Sequence, residues 1–466
     1  MQRNILFYVA LIFLFFLSAC KKDGFITDAD AKLSIADSLK FDSVFTTTGS
    51  VTRSFKIFNQ NERKILISKV KLAGGINSPF RINVNGSPAS EIDNLEIAAN
   101  DSIYIFVSVT INPSSSTLPF IVQDSIIINY NGLTRFVQLE AYGRNAIFLR
   151  NAVITGNVAW NSKLPYVILG NIRIDTSSQL TVGAGTSVFL HADAPFIVDG
   201  TLILSGTKNE KIIFTGDRLD EPYKNFPGSW PGIYLRSSSR NNRFVFALIK
   251  NAYQGVVAVG PSVNANPKLV MQQVIIDNAY DAGLLCVNSN VDVNNCLISN
   301  SGSNMNIQYG GKYNVIHCTL ASYTTRYITH DKPVLSVTDL GLINGAPAYA
   351  ILDLKFTNSI FWGENNAVSN EVIVNKQGNN SFAVKFENCL YKAVNDPPNS
   401  TLVSVIKNIN PAFDSLDFNT NNFDFRISLN PAAPGIDKGA ITPFLKDLDD
   451  NLRNVGLPDI GCYEKQ

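Results

Sequence analysis

NNCLISNSG, residues 294–302, sets a short apolar run between asparagines, with a cysteine at its start and a serine–glycine turn after it. It does not stand alone. QVIID (273–277), NCLIS (295–299) and HCTLA (317–321) superimpose at successive offsets of 22 residues. A period of that size marks a solenoid, in which each repeat buries its apolar face only by stacking on its neighbours. Cys296 falls in the same slot as Val274 and Cys318, and as Ser359 in NSIFW and Cys389 in NCLY. A slot that accepts valine, serine and cysteine is a core slot, where a free thiol behaves as a small hydrophobe. A disulfide between Cys296 and Cys318 is the second reading, since neighbouring coils bring Cα atoms to about 5 Å. Catalysis or metal binding has least support, because no CxxC occurs and His317 should face away from Cys318. Asn251, Asn278 and Asn300 share a second aligned place, just after an apolar strand. Stacked amides bond along the axis at the strand spacing of about 4.8 Å, so this row reads as a structural ladder and not as a binding site.

Working outward, LTVGAGTSVFLHADAPFIVDGTLILSGTKNEKIIFTG (180–216) and WPGIYL (230–235) give strands of about five residues between Gly, Asp and Asn turns. This texture resembles that of right-handed parallel β-helix proteins of bacterial surfaces, and a β-helix is expected over 146–429. Such folds carry mixed activities. At the end of the chain, NPAAPGIDKGA (430–440) and KDLDDNLRNVGLPDIGCYE (446–464) resemble the choice-of-anchor Q region, departing from it at Gly435, Asp450, Asn451 and Cys462. Residues 430–466 are therefore expected as a closing coil that protects the last sheet edge. Before the β-helix, SFKIFN, KILISKVKL, DSIYIFVSVTI and DSIIINYNGLTRFVQLEAYG alternate as strands, with Asn131-Gly132 as a hairpin turn. IFNQNERKILI and PFRI resemble the Ig-like modules of abnormal-spindle and hydin type, so 32–145 is expected to be an Ig-like β-sandwich acting as a spacer. The fold class expected is all-β: an N-terminal Ig-like β-sandwich followed by a right-handed parallel β-helix.

The N-terminal stretch speaks to compartment. Arg3 precedes thirteen apolar residues from Ile5 to Leu17, too few to span a bilayer but suited to a signal-peptide core. LSAC (17–20) resembles the bacterial lipobox, which implies a signal peptide over 1–20, lipidation at Cys20 and, with Lys21 following, the outer membrane or cell surface. Residues 21–31 would be a tether. The partner expected is the membrane, through the lipid. Lys and Arg number 39 against 38 Asp and Glu, so no net field steers the chain onto nucleic acid. No cofactor is expected.

Enzyme signatures are missing: the chain has no HExxH, G-x-S-x-G or P-loop. Parallel β-helices nevertheless include polysaccharide lyases and glycosidases, whose sites are assembled from distant carboxylates or bases on one face. Lys250 and Asp277 fall at aligned outward places, with Asp281 close after, as weak catalytic candidates. A solvated ion pair on adjacent rungs is the plainer reading. The period breaks after His317, where the next matching rung, at Asn358, is 41 residues away. Either a weakly patterned coil hides there or a loop of about twenty residues projects. That segment carries Tyr323, Arg326, Tyr327, His330 and Asp331, the mixture of rings and charges that sugar-binding surfaces use. A second aromatic excursion spans 217–230. In DLDDN (447–451), Asp447, Asp449 and Asn451 have calcium-like spacing, but Leu452 and Pro458 replace the glycine and glutamate of a calcium loop. Arg453 offers the acids another use, pairing with Asp449, Asp459 or Glu464 to clasp the final turn; no metal site is expected. The function expected is noncatalytic binding or adhesion, with polysaccharide as the candidate ligand; the alternative is a polysaccharide lyase or glycosidase.

Overall fold

The computed structural model describes residues 24–47, 49–114, 119–364, 368–453 and 456–466. The expected signal peptide, Cys20 and the start of the tether lie outside them. The chain divides into two compact units, 1–145 and 146–466, and the described regular structure is almost wholly β.

In the first unit two five-stranded sheets share one cluster of buried residues. Alternation produces it. Along Phe120–Tyr130, Ile126 and Ile128 are fully buried, and on the paired strand Leu133–Arg144 so are Val137, Leu139 and Ala141. Asn131 (φ 45°) and Gly132 (φ 76°) make the expected turn between them, with Leu133 opposite Tyr130. The pairings are antiparallel apart from Leu133–Arg144 on Ser38–Phe45, which run parallel.

The second unit is built on one continuous 26-stranded sheet whose strands pair in parallel coil upon coil, an arrangement consistent with a β-helix. The 22-residue period appears directly in the register: Ile275 lies beside Leu297, and Leu297 beside Thr319. Thr319 then neighbours Ile360, so no hidden rung occupies the break. The surplus residues leave as a loop after Ser322 and as a hairpin, Leu340–Ile343 with Ala346–Tyr349. Val274, Cys296, Cys318, Ser359 and Cys389 all point into the stack with no exposure, and the cysteines are free. Lys268 is equally buried; its ammonium donates to the carbonyls of Arg236, Ser237 and Ser239 at 2.9–3.0 Å, as a cation would sit in a turn.

The residue just before each core slot is the least expected feature. Gln273, Asn295, His317, Asn358 and Asn388 all adopt positive φ, between 49° and 55°, a conformation that turns the side chain away from the stack. Together they hold the C-terminal segment. Gln273 Nε2 donates to Asp447 O (2.7 Å), Asn295 Oδ1 accepts from Arg453 (3.0 Å), His317 meets Thr442 (3.1 Å), Asn358 Nδ2 donates to Ala440 O (2.7 Å) and Asn388 Nδ2 to Lys438 O (2.8 Å). Leu448, Ile460 and Cys462 then cover the outer faces of Leu297, Ile360 and Leu390 as a second apolar core. The segment thus runs lengthwise across successive rungs, instead of adding a coil at the end of the stack. Within it, Arg453 donates to Glu464 Oε2 at 2.9 Å, while Asp449 pairs with Arg426. Asp447 accepts the amides of Asn451 and Glu464, so the acids with calcium-like spacing serve separate internal contacts.

Candidate functional site

On the outer side of the asparagine row lies a cavity of about 470 Å³. Its floor is Lys250, Asn251, Asp277, Asn278 and Asn300, brought together because consecutive rungs place Lys250 beside Asp277 and Asp277 beside Ser299. Three excursions wall it: Glu221 and Asn225 from 217–230, Thr325 to Tyr327 from the loop after Ser322, and Asn419 to Asn422 at the turn of the Ser415–Asp417 and Asn422–Asp424 hairpin.

The ladder fastens these walls. Asn278 Nδ2 bonds Asn251 Oδ1 at 2.8 Å, as stacked amides should, but it also donates to Asn225 O (2.9 Å), and Asn251 donates to Lys224 O (2.8 Å). Asn300 leaves the row: its amide reaches Asp277 Oδ1 (3.3 Å) and its carbonyl accepts Tyr323 N (3.2 Å). The asparagines are therefore both a partial ladder and the base of the cavity. Rings lock the walls together, with Phe226 against Tyr327 (4.8 Å) and Tyr223 (5.0 Å), and Arg326 N donates to Asn421 Oδ1 (2.9 Å). A site braced from three sides is preformed, which lowers the ordering cost of binding.

Asp277 is the one floor carboxyl. Burial raises its pKa, against the hydrogen bond from Ser299 Oγ (2.7 Å) and the nearby positive charge of Lys250. Amides dominate the rest of the lining, and each offers a donor and an acceptor. With one aromatic face, one guanidinium and two carboxyl groups, the arrangement suits a ligand carrying many hydroxyls.

Of the residues singled out from the sequence, Lys250, Asp277, Arg326 and Tyr327 converge here. Asp281 does not; it accepts Gln254 Nε2 (2.8 Å) on another part of the rung. Tyr323 is buried in the second core, stacked on Phe423 and Phe425. His330 is buried against Glu371 (3.0 Å), and Asp331 is exposed away from the cavity. A loop residue that faces inward cannot touch a ligand, so Tyr323 and His330 act as pins for the loop. Glu221, Asn225, Thr325 and Asn419 to Asn422 escaped the sequence reading. The available signals were the 217–230 excursion, noted for its rings, and the polar run NTNN (419–422), and neither says which rung it will cover.

No family model and no curated protein matches the chain. Among solved structures, it is similar to a family 123 glycoside hydrolase from Clostridium perfringens, studied for glycolipid glycan hydrolysis. Identity is 9% and the TM-score 0.19, over 27% of this chain and 26% of the hydrolase, so the chain spans about a quarter of that protein. A likeness that slight bears on neither fold nor function.

Proposed function

We propose that this chain is a noncatalytic glycan-binding protein, anchored by lipid at Cys20 to the outer membrane or cell surface. In this reading residues 32–145 are an Ig-like spacer, 146–429 a right-handed parallel β-helix, and 430–466 a choice-of-anchor Q-like segment. The lipobox-like LSAC carries the anchor. The observation that carries the binding role is the cavity itself, whose floor and walls include seven asparagines beside Tyr327 and Arg326. Planar amides satisfy vicinal hydroxyls in both directions, and an aromatic face takes the apolar side of a pyranose ring.

One observation favours the competing class, a polysaccharide lyase or glycosidase. Glu221 and Asp277 share the cavity, and the raised pKa of Asp277 is what a general acid needs. A glycan-array screen of the chain starting after Cys20, with product analysis of each ligand found, separates the two. Binding without product, weakened about tenfold or more by Arg326→Ala with Tyr327→Ala at nearly unchanged Tm, is expected. Release of shortened or unsaturated sugars that Asp277→Asn abolishes would replace this reading with the catalytic one. Failure of every glycan to bind would refute both.

A further inference from the structure

Two residues beyond Asn251 and Asn278, the same rungs carry Tyr253 and Tyr280. Their rings lie 5.7 Å apart at 27°, and they are 46% and 55% exposed. Register explains the pairing, since Asp281 N bonds Tyr253 O and Gln254 N bonds Pro231 O, placing proline, tyrosine and tyrosine in one row up the stack. Gly302 follows on the next rung and adds no side chain. Beside the rings, Gly228 has no side chain; a Cβ there would come to rest against Tyr280 and Tyr253 at 3.5–4.0 Å. The next residues along these rungs, Gln254 and Asp281, bond each other at 2.8 Å, and among the described residues no donor reaches Asp281 Oδ1.

We infer that Tyr253 and Tyr280, with Gln254 and Asp281, form a second carbohydrate subsite that takes neutral pyranose rings of a glycan whose other end occupies the cavity. This rests on the glycan-binding reading above. Each part of the surface has a use for such a ligand. Flat neighbouring rings stack on the apolar faces of sugars, and the carboxylate and amide at their edge bond hydroxyls. The carboxylate of Asp281 disfavours an anionic sugar. Continuity with the cavity comes from the 217–230 excursion: Asn225 lines the cavity while Gly228 adjoins the tyrosines, so both lie along one narrow loop. A glycan long enough to cross Pro227 and Gly228 meets both; a short one meets only the cavity.

Calorimetric titration with cello-, manno- and xylo-oligosaccharides, from disaccharide to hexasaccharide, tests this on the chain starting after Cys20. Affinity is expected to rise with length in the unmodified protein. Tyr253→Ala with Tyr280→Ala should remove that rise, about tenfold at the longest oligomers, with the shortest unaffected. Tyr253→Phe with Tyr280→Phe, which keeps the rings, should restore it, and Tm should hold throughout because both rings are at the surface. Equal affinity of the double alanine variant and the unmodified protein at every length overturns the subsite. If Arg326→Ala with Tyr327→Ala weakens binding while the tyrosine variant does not, the cavity stands and the subsite falls. If only the tyrosine variant weakens binding, the cavity reading falls and with it the shared ligand, leaving the tyrosines as a separate sugar-binding surface. Absence of binding by every oligomer overturns both.

Discussion

Removing the Arg453 side chain should detach the C-terminal segment, by an amount that depends on pH. Its guanidinium donates to Glu464 Oε2 (2.9 Å), Asn295 Oδ1 (3.0 Å) and Gly461 O (3.0 Å), and the Arg453 and Glu464 side chains are 1% and 0% exposed. In Arg453→Met the methylene stem is replaced, but Glu464 becomes a buried carboxylate with no cation. Breaking such a pair from one side costs about 3–5 kcal/mol. The protein need not unfold to escape this cost, because the segment can lift away locally. Protection of the Gly461, Cys462 and Glu464 amides, which bond Asn358 O, Thr319 Oγ1 and Asp447 Oδ2, should therefore fall by roughly 10² to 10⁴ at pH 8.

The same carboxyl sets the pH dependence. Burial, and then the charge of Asp459, push the pKa of Glu464 up to about 7, against an ordinary value of 4.5. Between those values the folded protein holds a proton that the unfolded chain has lost. This contribution to stability is complete below pH 4.5 and is lost as pH rises toward 7. A protonated Glu464 needs no cation, so the deficit of Arg453→Met should shrink markedly at pH 5. Hydrogen exchange at the two pH values, read as protection factors, is the assay. Unchanged protection at pH 8, or an equal deficit at pH 5, would refute the clasp; so would stabilisation by millimolar calcium that Asp449→Ala removes.

Three further outcomes are expected. Lys268→Met removes the ammonium from three turn carbonyls, of which Arg236 O keeps Ser239 N while Ser237 O and Ser239 O lose the donor, and should destabilise the protein by about 2–3 kcal/mol in denaturant melts. Since burial lowers the Lys268 pKa to about 8 from 10.5, the folded state sheds this proton first; wild-type stability should gain between those pH values relative to the variant, and parallel pH profiles would contradict the assignment. Cys286, Cys296, Cys318, Cys389 and Cys462 are buried, with burial pushing Cys389 and Cys462 up to about 12, so alkylation should be slow until the chain unfolds. Fast native labelling, or a mapped disulfide, would count against the core reading. Cys20→Ser should abolish incorporation of a fatty-acid probe and release the protein from membranes, and retention would rule out the anchor.

The stack was legible because its cause is periodic. A 22-residue spacing of VIID, CLIS and CTLA needs no three-dimensional information to be seen, and it survives in the register of Ile275, Leu297 and Thr319. The Asn131-Gly132 turn was legible for a local reason, its demand for positive φ. The site was legible only where it rides on the repeat, at Lys250 and Asp277, or on a visible break, at Arg326 and Tyr327. Which way a loop side chain faces is decided by what comes to rest upon it. Tyr323 looks like a ligand contact until Phe423 and Phe425, a hundred residues on, bury it. Asn295, present in the very stretch that revealed the period, shows the same limit: its partner is Arg453.

The column of Gln273, Asn295, His317, Asn358 and Asn388 makes the C-terminal segment a ruler. Each rung offers one grip: His317, Asn358 and Asn388 meet Thr442, Ala440 and Lys438 in register, and Gln273 and Asn295 hold Asp447 and the Arg453 side chain beyond them. Deleting or duplicating one rung between Gln273 and Asn388 would put every grip on one side of the change out of step with the groups it holds. Among the described residues, the coils before Gln273 touch the segment through one exposed contact, Lys208 Nζ to Asn451 Oδ1 at 3.4 Å, and carry no such column of grips. The stack is less constrained in length over 146–240 and fixed in rung number where the segment lies, so natural length variation in proteins of this plan should concentrate in the coils that precede Gln273 in the sequence.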